Sequence, residues 1–351
     1  MTINPSQLAD YGWNSHFTSQ LDADDFGTFT AARVTAVHRS GLHIAGVGID
    51  AAIPPFSSDD EEGAATVGDW LLLEPETLRA RHLLDRKSLF KRRAAGTGRK
   101  LQLIAANVDT LFIVTSCNQD FNVARLERYL ALAREAGVMP VVVLTKADLT
   151  DTPEDFEREA AGLAPGLFVE IVDARDPASV ARLAAWCGKG ETVALVGSSG
   201  VGKSTLINTL AGSDEIATGG IREDDAKGRH TTTGRMLHRL ASGGWLIDTP
   251  GMREIQLVDV HAGIDEVFSD VVEIAGGCRF RDCRHEDEPG CAVNAAIADG
   301  TLDPDRVRRW KKLAAEEAYN SASLAERRAR DKAFGKMVKT VMKEKTAKKG
   351  G

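Results

Sequence analysis

The sequence predicts a multidomain α/β protein. Three observations carry this: short β-rich runs from Gly27 to about Arg93, strands alternating with helices from Leu101 to about Val258, and a Cys/His knot in helical surroundings from residue 259 onward. At 351 residues the chain exceeds what one compact core usually holds, and 43% hydrophobic with 27% charged residues is ordinary for a globular protein. No apolar run approaches the roughly 20 residues that span a bilayer. Met1 to Asp10 lacks the basic-then-apolar layout of a secretory signal. A cytoplasmic protein without membrane attachment is therefore expected, and a monomer.

Taken in order, residues 1–26 are polar without clear periodicity, and an extension that is partly ordered at best is expected there, with Tyr11 and Trp13 able to dock. Residues 27–96 carry candidate strands Thr28–Val37, Leu42–Gly48 and Asp69–Leu73, separated by turn signals such as Ser40-Gly41 and Pro54-Pro55. Several short strands in so few residues predict a small barrel of the OB type, which often binds nucleic acid. The stretch Arg79–Lys100 holds nine Lys and Arg against one acid, Asp85. It is either an RNA-facing surface or a solvated linker.

Residues 97–258 read as the α/β domain. Asp109–Cys117, Val141–Leu144, Phe168–Val172 and Thr192–Val196 are buried strands, and Met236–Leu240 and Trp245–Ile247 are a strand pair. Val123–Ala136, with Leu126, Leu130 and Ala133 at helical spacing, Val180–Trp186 and Lys203–Leu210 are helices. Continuous apolar strands between helices predict a mainly parallel, doubly covered sheet. Residues 259–305 form a helical metal-binding region. Residues 306–351, with 15 Lys and Arg against 5 acids, form a basic helical tail in a chain of net charge −7. Such a tail meets a polyanion or is a solvated, frayed helix.

Gly197-Ser198-Ser199-Gly200-Val201-Gly202-Lys203-Ser204 fits G-x-x-x-x-G-K-[ST]. The loop follows an apolar strand and opens a helix. Its glycines let phosphates approach backbone N–H groups, while the helix presents its positive end. Lys203 reaches the β/γ-phosphates, the Ser204 hydroxyl ligates Mg²⁺, and Thr205 continues the motif. Asp248-Thr-Pro-Gly251 ends a later strand, where Asp248 holds Mg²⁺ through water and the Gly251 N–H meets the γ-phosphate. Thr145-Lys146-Ala147-Asp148 follows Val141–Leu144 and matches N-K-x-D with Thr for Asn. The Asp148 carboxylate can accept the N1–H and N2–H of guanine, a pair that adenine does not offer, and Lys146 lies along the base. Asp173-Ala174 is a candidate companion loop, with Asp where Ser is usual.

The order is informative. In Ras-like GTPases the phosphate loop comes first and N-K-x-D last; here Asp148 precedes Gly197. A circularly permuted domain, opened after the Asp248 segment, keeps the same site because domain termini often lie close together. Between loop and Asp248 lies Gly228-Arg-His-Thr-Thr232. Thr231 or Thr232 ligates Mg²⁺ as a switch residue, with Thr232 favoured. Cys278-x4-Cys283-x-His285-x5-Cys291 offers three thiolates and an imidazole, a closed structural zinc set; Glu286 or water is the substitute should His285 lie outside. Cys117 and Cys187 stand alone in apolar surroundings and are expected to be buried bystanders.

Together these motifs, with Lys91-Arg-Arg-Ala-Ala-Gly96 and Asp248-Thr-Pro-Gly-Met-Arg-Glu254, resemble the RsgA (YjeQ) family of circularly permuted, small-ribosomal-subunit-dependent GTPases. The resemblance spans roughly residues 27 to 300. It implies an N-terminal OB barrel, a permuted GTPase domain and a C-terminal zinc domain. It also implies binding of GTP/GDP, Mg²⁺ and one Zn²⁺, with the 30S subunit and its 16S rRNA as partners in late maturation. Hydrolysis would be slow alone and stimulated on the ribosome. Met252 stands where a glutamine would orient the attacking water, so His230 or Arg253 must substitute; His230 is favoured because a neutral imidazole accepts a hydrogen bond from water. The competing readings are a P-loop ATPase or kinase, a passive RNA-binding module, and a GTPase of tRNA modification or translation.

Overall fold

A computed structural model describes residues 3–58, 60, 62–93, 101–212, 235–248 and 259–321. Among these, one large sheet runs in the order β10-β9-β8-β11-β13-β12-β1-β2-β3. Its strands are β1 Thr30–His38, β2 Gly41–Gly46, β3 Ile49–Ile53, β4 Trp70–Leu73, β5 Ala80–Leu83, β8 Thr110–Ser116, β9 Met139–Thr145, β10 Phe168–Ile171, β11 Thr192–Val196, β12 Arg235–Arg239 and β13 Trp245–Asp248. A separate hairpin pairs β6 Leu89–Arg93 with β7 Leu101–Ala106.

From β10 to β13 every pairing is parallel. Their residues alternate between two cores, as strands covered on both faces must. Leu111, Ile113, Val142, Leu144, Ala194 and Val196 face one core, and Phe112, Val114, Val141, Val143, Val193 and Leu195 face the other. β12 closes this block antiparallel to β13, and two residue pairs, Ala36 with Met236 and Val37 with Arg235, join it to β1.

β1 to β5 form an antiparallel sheet in the order β3-β2-β1-β4-β5. The run Leu42–Gly48 is not one strand. It turns at Gly48, whose φ of +69° suits glycine, and β3 follows as a hairpin partner. Among the described residues no pairing joins β3 to β5, so the strands expected to close a barrel form a five-stranded antiparallel sheet around Ala32, Val34, Ile44, Leu71 and Leu73.

The N-terminal segment departs from expectation. Residues 5–28 form a chain of short helical turns, capped by Asn4 and Asn14 side chains. Ile3, Leu8, Trp13 and Phe17 are buried against Ala31, Trp70 and Leu72 on the back of the β1–β4 pair. Trp13 meets Trp70 edge-on at 4.9 Å. Its neighbour Tyr11 stacks on Trp245 of β13 at 5.8 Å, so the extension bridges the two parts of the sheet. Helices of one turn leave no 3.6-residue stripe, which is why the pattern is invisible in sequence.

Arg33 is fixed at the same junction and is 1% exposed. It donates to the Gly68, Tyr11 and Asn107 carbonyls at 3.2, 2.6 and 3.3 Å and to the Thr192 hydroxyl at 2.9 Å. Burial pulls its pKa down to about 10, against the opposing attraction of Asp109 and Asp69.

Arg79–Lys100 is mainly strand, not linker, as far as it is described. Its cations are largely engaged: Arg86 with the fully buried Asp69 at 2.8 Å, Lys91 with Glu62 at 2.7 Å, Arg81 with Glu74, and Lys87 with Asp109. Among the described residues, the RNA-facing reading thus has fewer unpaired cations to draw on than the run of nine suggests.

Of the C-terminal helices, His261–Val267 packs on the helix Val123–Glu135, Pro304–Ser321 reaches it through ion pairs, and Ser269–Ala275 packs against Ala292–Ala298. Gly263 lies so close to Ala131 that a Cβ would sit 2.1 Å from its carbonyl oxygen. The buried Glu127 pairs with Arg306 at 3.2 Å and Arg309 at 2.8 Å, which offsets the burial that raises its pKa. Arg128 forms a two-oxygen pair with Glu316.

Candidate nucleotide site and metal centre

β11 ends in the loop Gly197–Gly202, and the helix Lys203–Ala211 starts there. Gly197 has φ +147°, and a Cβ on it would lie 2.2 Å from the Val114 carbonyl of β8. Gly200 and Gly202 have φ of +80° and +97°, left-handed values that favour glycine. The loop is thus a backbone shape that only this spacing of glycines allows. Val201 is buried and anchors it. Lys203 is buried too, with its ammonium on the Gly197 carbonyl at 2.9 Å and on the Ser198 carbonyl. Ser204 is half-buried and Thr205 exposed, at the first turn of the helix.

β9 delivers the second element to the same place. Thr145 is buried, and its hydroxyl lies 2.5 Å from the Val201 carbonyl and 3.1 Å from the Thr115 carbonyl. The hydroxyl has one proton, so it serves one carbonyl at a time, the nearer being in the phosphate loop. Thr145 therefore ties β9 to the phosphate loop. Lys146 follows in left-handed conformation, φ +56°. This turns the chain so that Asp148 faces the loop after β10.

That loop is the third element. Thr209 of the phosphate-loop helix donates to the Ala174 carbonyl at 2.6 Å. The Asp173 N–H donates to the Ser179 hydroxyl at 2.9 Å, and Asp176 caps the next turn through the Ala178 and Ser179 N–H groups. A cavity of about 240 Å³ is lined jointly by Thr145, Lys146, Asp148, Ala174, Gly202 and Thr205, with Leu149, Asp173 and Arg175 completing it. Parts of the sequence some fifty residues apart thus meet in one cleft beside the phosphate loop.

Sequence reasoning did not find two residues here. Arg175 bonds Asp148 at 3.0 Å and Asp173 at 3.2 Å. Its two acids are far apart in sequence and come side by side only through the pairing of β9 and β10. Arg125, from the helix Val123–Glu135, reaches the Ser198 hydroxyl; nothing in the sequence pointed to that contact. Of the other site residues expected from sequence, Asp248 ends β13, and its backbone register places it opposite Met236. His230, Thr232 and Gly251 lie outside the described residues.

Cys278, Cys283, His285 and Cys291 come together with their ligand atoms within 4.8 Å of one another. The Cys278 and Cys291 sulfurs are 3.9 Å apart, and each is 3.5 Å from His285 Nδ1. Tetrahedral zinc with Zn–S of about 2.3 Å and Zn–N of about 2.0–2.1 Å requires separations of about 3.8 and 3.6 Å. The donor set and its spacing fit zinc. The loop between them is shaped by Glu288, which accepts the Arg284 and Glu286 N–H groups at 2.9 and 2.8 Å; these bonds pull its pKa down to about 2. Lys311 of the terminal helix grips the His285 carbonyl at 2.7 Å. Cys117 and Cys187 are buried, and burial pushes both thiols up to about 11, so neither is a thiolate at neutral pH.

Residues 83–258 match the family model described as RsgA GTPase. The chain is 52% identical over 344 residues to Small ribosomal subunit biogenesis GTPase RsgA 2 of Vibrio parahaemolyticus, covering 98% of this chain and 94% of that one. It belongs to the RsgA GTPase family. It is a GTP hydrolase. The corresponding Mesorhizobium japonicum protein, Small ribosomal subunit biogenesis GTPase RsgA, is 53% identical, covering 92% of this chain and 93% of that protein. Among solved structures, YjeQ from Thermotoga maritima aligns with a TM-score of 0.57 at 24% identity, covering 81% of this chain and 96% of that one. YloQ, described as a circularly permuted GTPase, aligns with a TM-score of 0.55 at 22% identity, covering 84% and 97%. These two establish the permuted α/β fold. The family carries guanine nucleotide and Mg²⁺. No helix among the described residues is long and apolar enough to cross a membrane.

Proposed function

We propose that this chain binds the small ribosomal subunit during its biogenesis and hydrolyses GTP there, turning over slowly until the subunit engages it. The relatives' names support the ribosomal role. The observation that carries the chemistry is the shared cleft in which Asp148, Thr145 and the phosphate loop meet. We extend the reading to a division of the chain: the extension 1–26, an OB-type barrel at 27–96, the GTPase domain at 97–258, a zinc domain at 259–305 and a basic tail at 306–351. The subunit contact would be with its 16S rRNA, and the protein would act as a cytoplasmic monomer. The exposed Arg279, Phe280, Arg281 and Arg284 on the metal loop, with Arg279 over the Phe280 ring at 5.5 Å, suit stacking on unpaired bases.

In this reading Asp148 accepts guanine N1–H and N2–H, Lys146 lies on the base and Ala147 spaces them. The N–H groups of Gly197 to Gly202 cradle the phosphates. Lys203 would exchange its carbonyl partners for β/γ-phosphate oxygens. Ser204, Thr232 and Asp248, an all-oxygen donor set suited to Mg²⁺, would hold that ion, which neutralises phosphate charge when bound. The Gly251 N–H would meet the γ-phosphate, and His230 would orient the attacking water in place of the glutamine that Met252 replaces. Zn²⁺ on Cys278, Cys283, His285 and Cys291 would be structural, since four protein donors close the shell.

The test is GTP turnover with and without purified small subunits. A stimulation of tenfold or more, lost in Lys203→Ala, is expected. Equal rates would remove the ribosomal role and leave the GTPase. Turnover of the His230→Ala variant that stays stimulated would take His230 out of the chemistry.

A further inference from the structure

We propose that Arg175 is a positioning residue that makes Asp148 available to guanine by standing between its carboxylate and that of Asp173. This rests on the guanine reading of Asp148. Where the companion loop would carry a neutral Ser, this chain places a second acid beside the first. Two ionised carboxylates cannot hydrogen-bond each other, and at close range they repel. The Arg175 guanidinium resolves this. Nη2 lies 3.0 Å from Asp148 Oδ2 and 3.5 Å from Asp173 Oδ2, while Nε lies 3.2 Å from Asp173 Oδ1.

The fork is held from its own backbone. The Arg175 N–H bonds Asp173 Oδ1 at 3.0 Å, closing a tight Asp-x-Arg turn whose start is pinned by Ser179. Asp173 thus fixes the guanidinium, and the guanidinium offers a single nitrogen to Asp148. An ionised carboxylate has about four acceptor positions. One nitrogen takes one of them, so Oδ1 and the second lone pair of Oδ2 remain for the two donors of guanine. All three residues line the same 240 Å³ cleft. Asp173 and the arginine shift as this arrangement requires: the Arg175 N–H and guanidinium lower Asp173, and Asp173 followed by Asp148 raises Arg175.

The arrangement makes a prediction with a sign. A plug occupying the base seat would, when removed, tighten nucleotide binding. A bridge, when removed, weakens it. Calorimetric titration with GDP at 0.05 M salt should show Arg175→Ala weaker than wild type by about three- to fivefold, the upper part of the range of exposed charge pairs. The gap should close toward wild type at 0.5 M salt, because exposed charges are screened. In the Arg175→Ala background, Asp173→Ser should restore affinity to within about twofold, since the repulsion is then gone. A merely structural arginine would give neither the salt dependence nor the rescue.

Affinity equal to or tighter than wild type in Arg175→Ala overturns the proposal, and so does a loss that Asp173→Ser does not repair. Asp148→Asn is run alongside, titrated with GDP and xanthosine diphosphate. If it keeps full GDP affinity, the guanine reading of Asp148 fails and the proposal falls with it. If it loses GDP while Arg175→Ala does not, only the role of Arg175 falls.

Discussion

Thr145→Val changes one hydroxyl for a methyl in a side chain that is 1% exposed. Shape is kept, so the perturbation is the lost donor. In the native chain that donor lies 2.5 Å from the Val201 carbonyl and 3.1 Å from the Thr115 carbonyl. Thr115 belongs to a paired strand, whereas Val201 sits in the phosphate loop. Leaving a buried carbonyl without its partner costs about 1–3 kcal/mol. A tenfold change in an equilibrium constant is about 1.4 kcal/mol, so the loop's nucleotide-ready form should lose roughly a factor of ten. Where that form is a minority in both proteins, apparent GDP affinity falls in the same proportion. Titration of GDP into Thr145→Val should therefore show about tenfold weaker binding, and Thr145→Ser, which keeps the hydroxyl, should stay within about threefold of wild type. Wild-type affinity in Thr145→Val, or equal loss in both variants, would refute the idea that this hydroxyl ties β9 to the phosphate loop.

Three further outcomes are expected. Gly197→Ala puts a Cβ 2.2 Å from the Val114 carbonyl at φ +147°, which costs about 3 kcal/mol through strain and overlap; GDP titration should show binding weakened at least a hundredfold, and near-normal affinity would contradict the loop geometry. Arg33→Met strands the Tyr11, Gly68 and Asn107 carbonyls and should lower stability in urea by about 2–4 kcal/mol; a more stable variant would mean that desolvating the charge outweighs its hydrogen bonds. Purified protein should hold one zinc per chain by atomic emission, and a chelator or Cys283→Ser should release it and expose the Trp310 ring packed 5.6 Å from His285; no zinc in protein purified under reducing conditions would refute the metal assignment.

The α/β half was legible because its signals are strong and local. Continuous apolar runs predicted β8, β9 and β11, and a strand–glycine-loop–helix pattern predicted the phosphate loop. The cleft was legible because Asp148 and Gly197 belong to motifs whose spatial relation survives a change of chain order. Other features were not. Trp13 and Phe17 are buried by one-turn helices that carry no period. The basic run Arg79–Lys100 could not reveal that Arg86 answers Asp69 and Lys91 answers Glu62, because those acids lie elsewhere in the chain. Arg175 was hidden for the same reason: its role exists only when Asp148 and Asp173 are brought side by side by parallel β9 and β10.

The central claim is that these separated segments make one guanine-reading site. Competitive titration of the purified chain with GDP and ADP tests it directly. GDP should bind at least a hundredfold tighter, because ADP leaves the Asp148 carboxylate facing an adenine edge without the paired donors. Equal affinity for the two nucleotides would contradict the account.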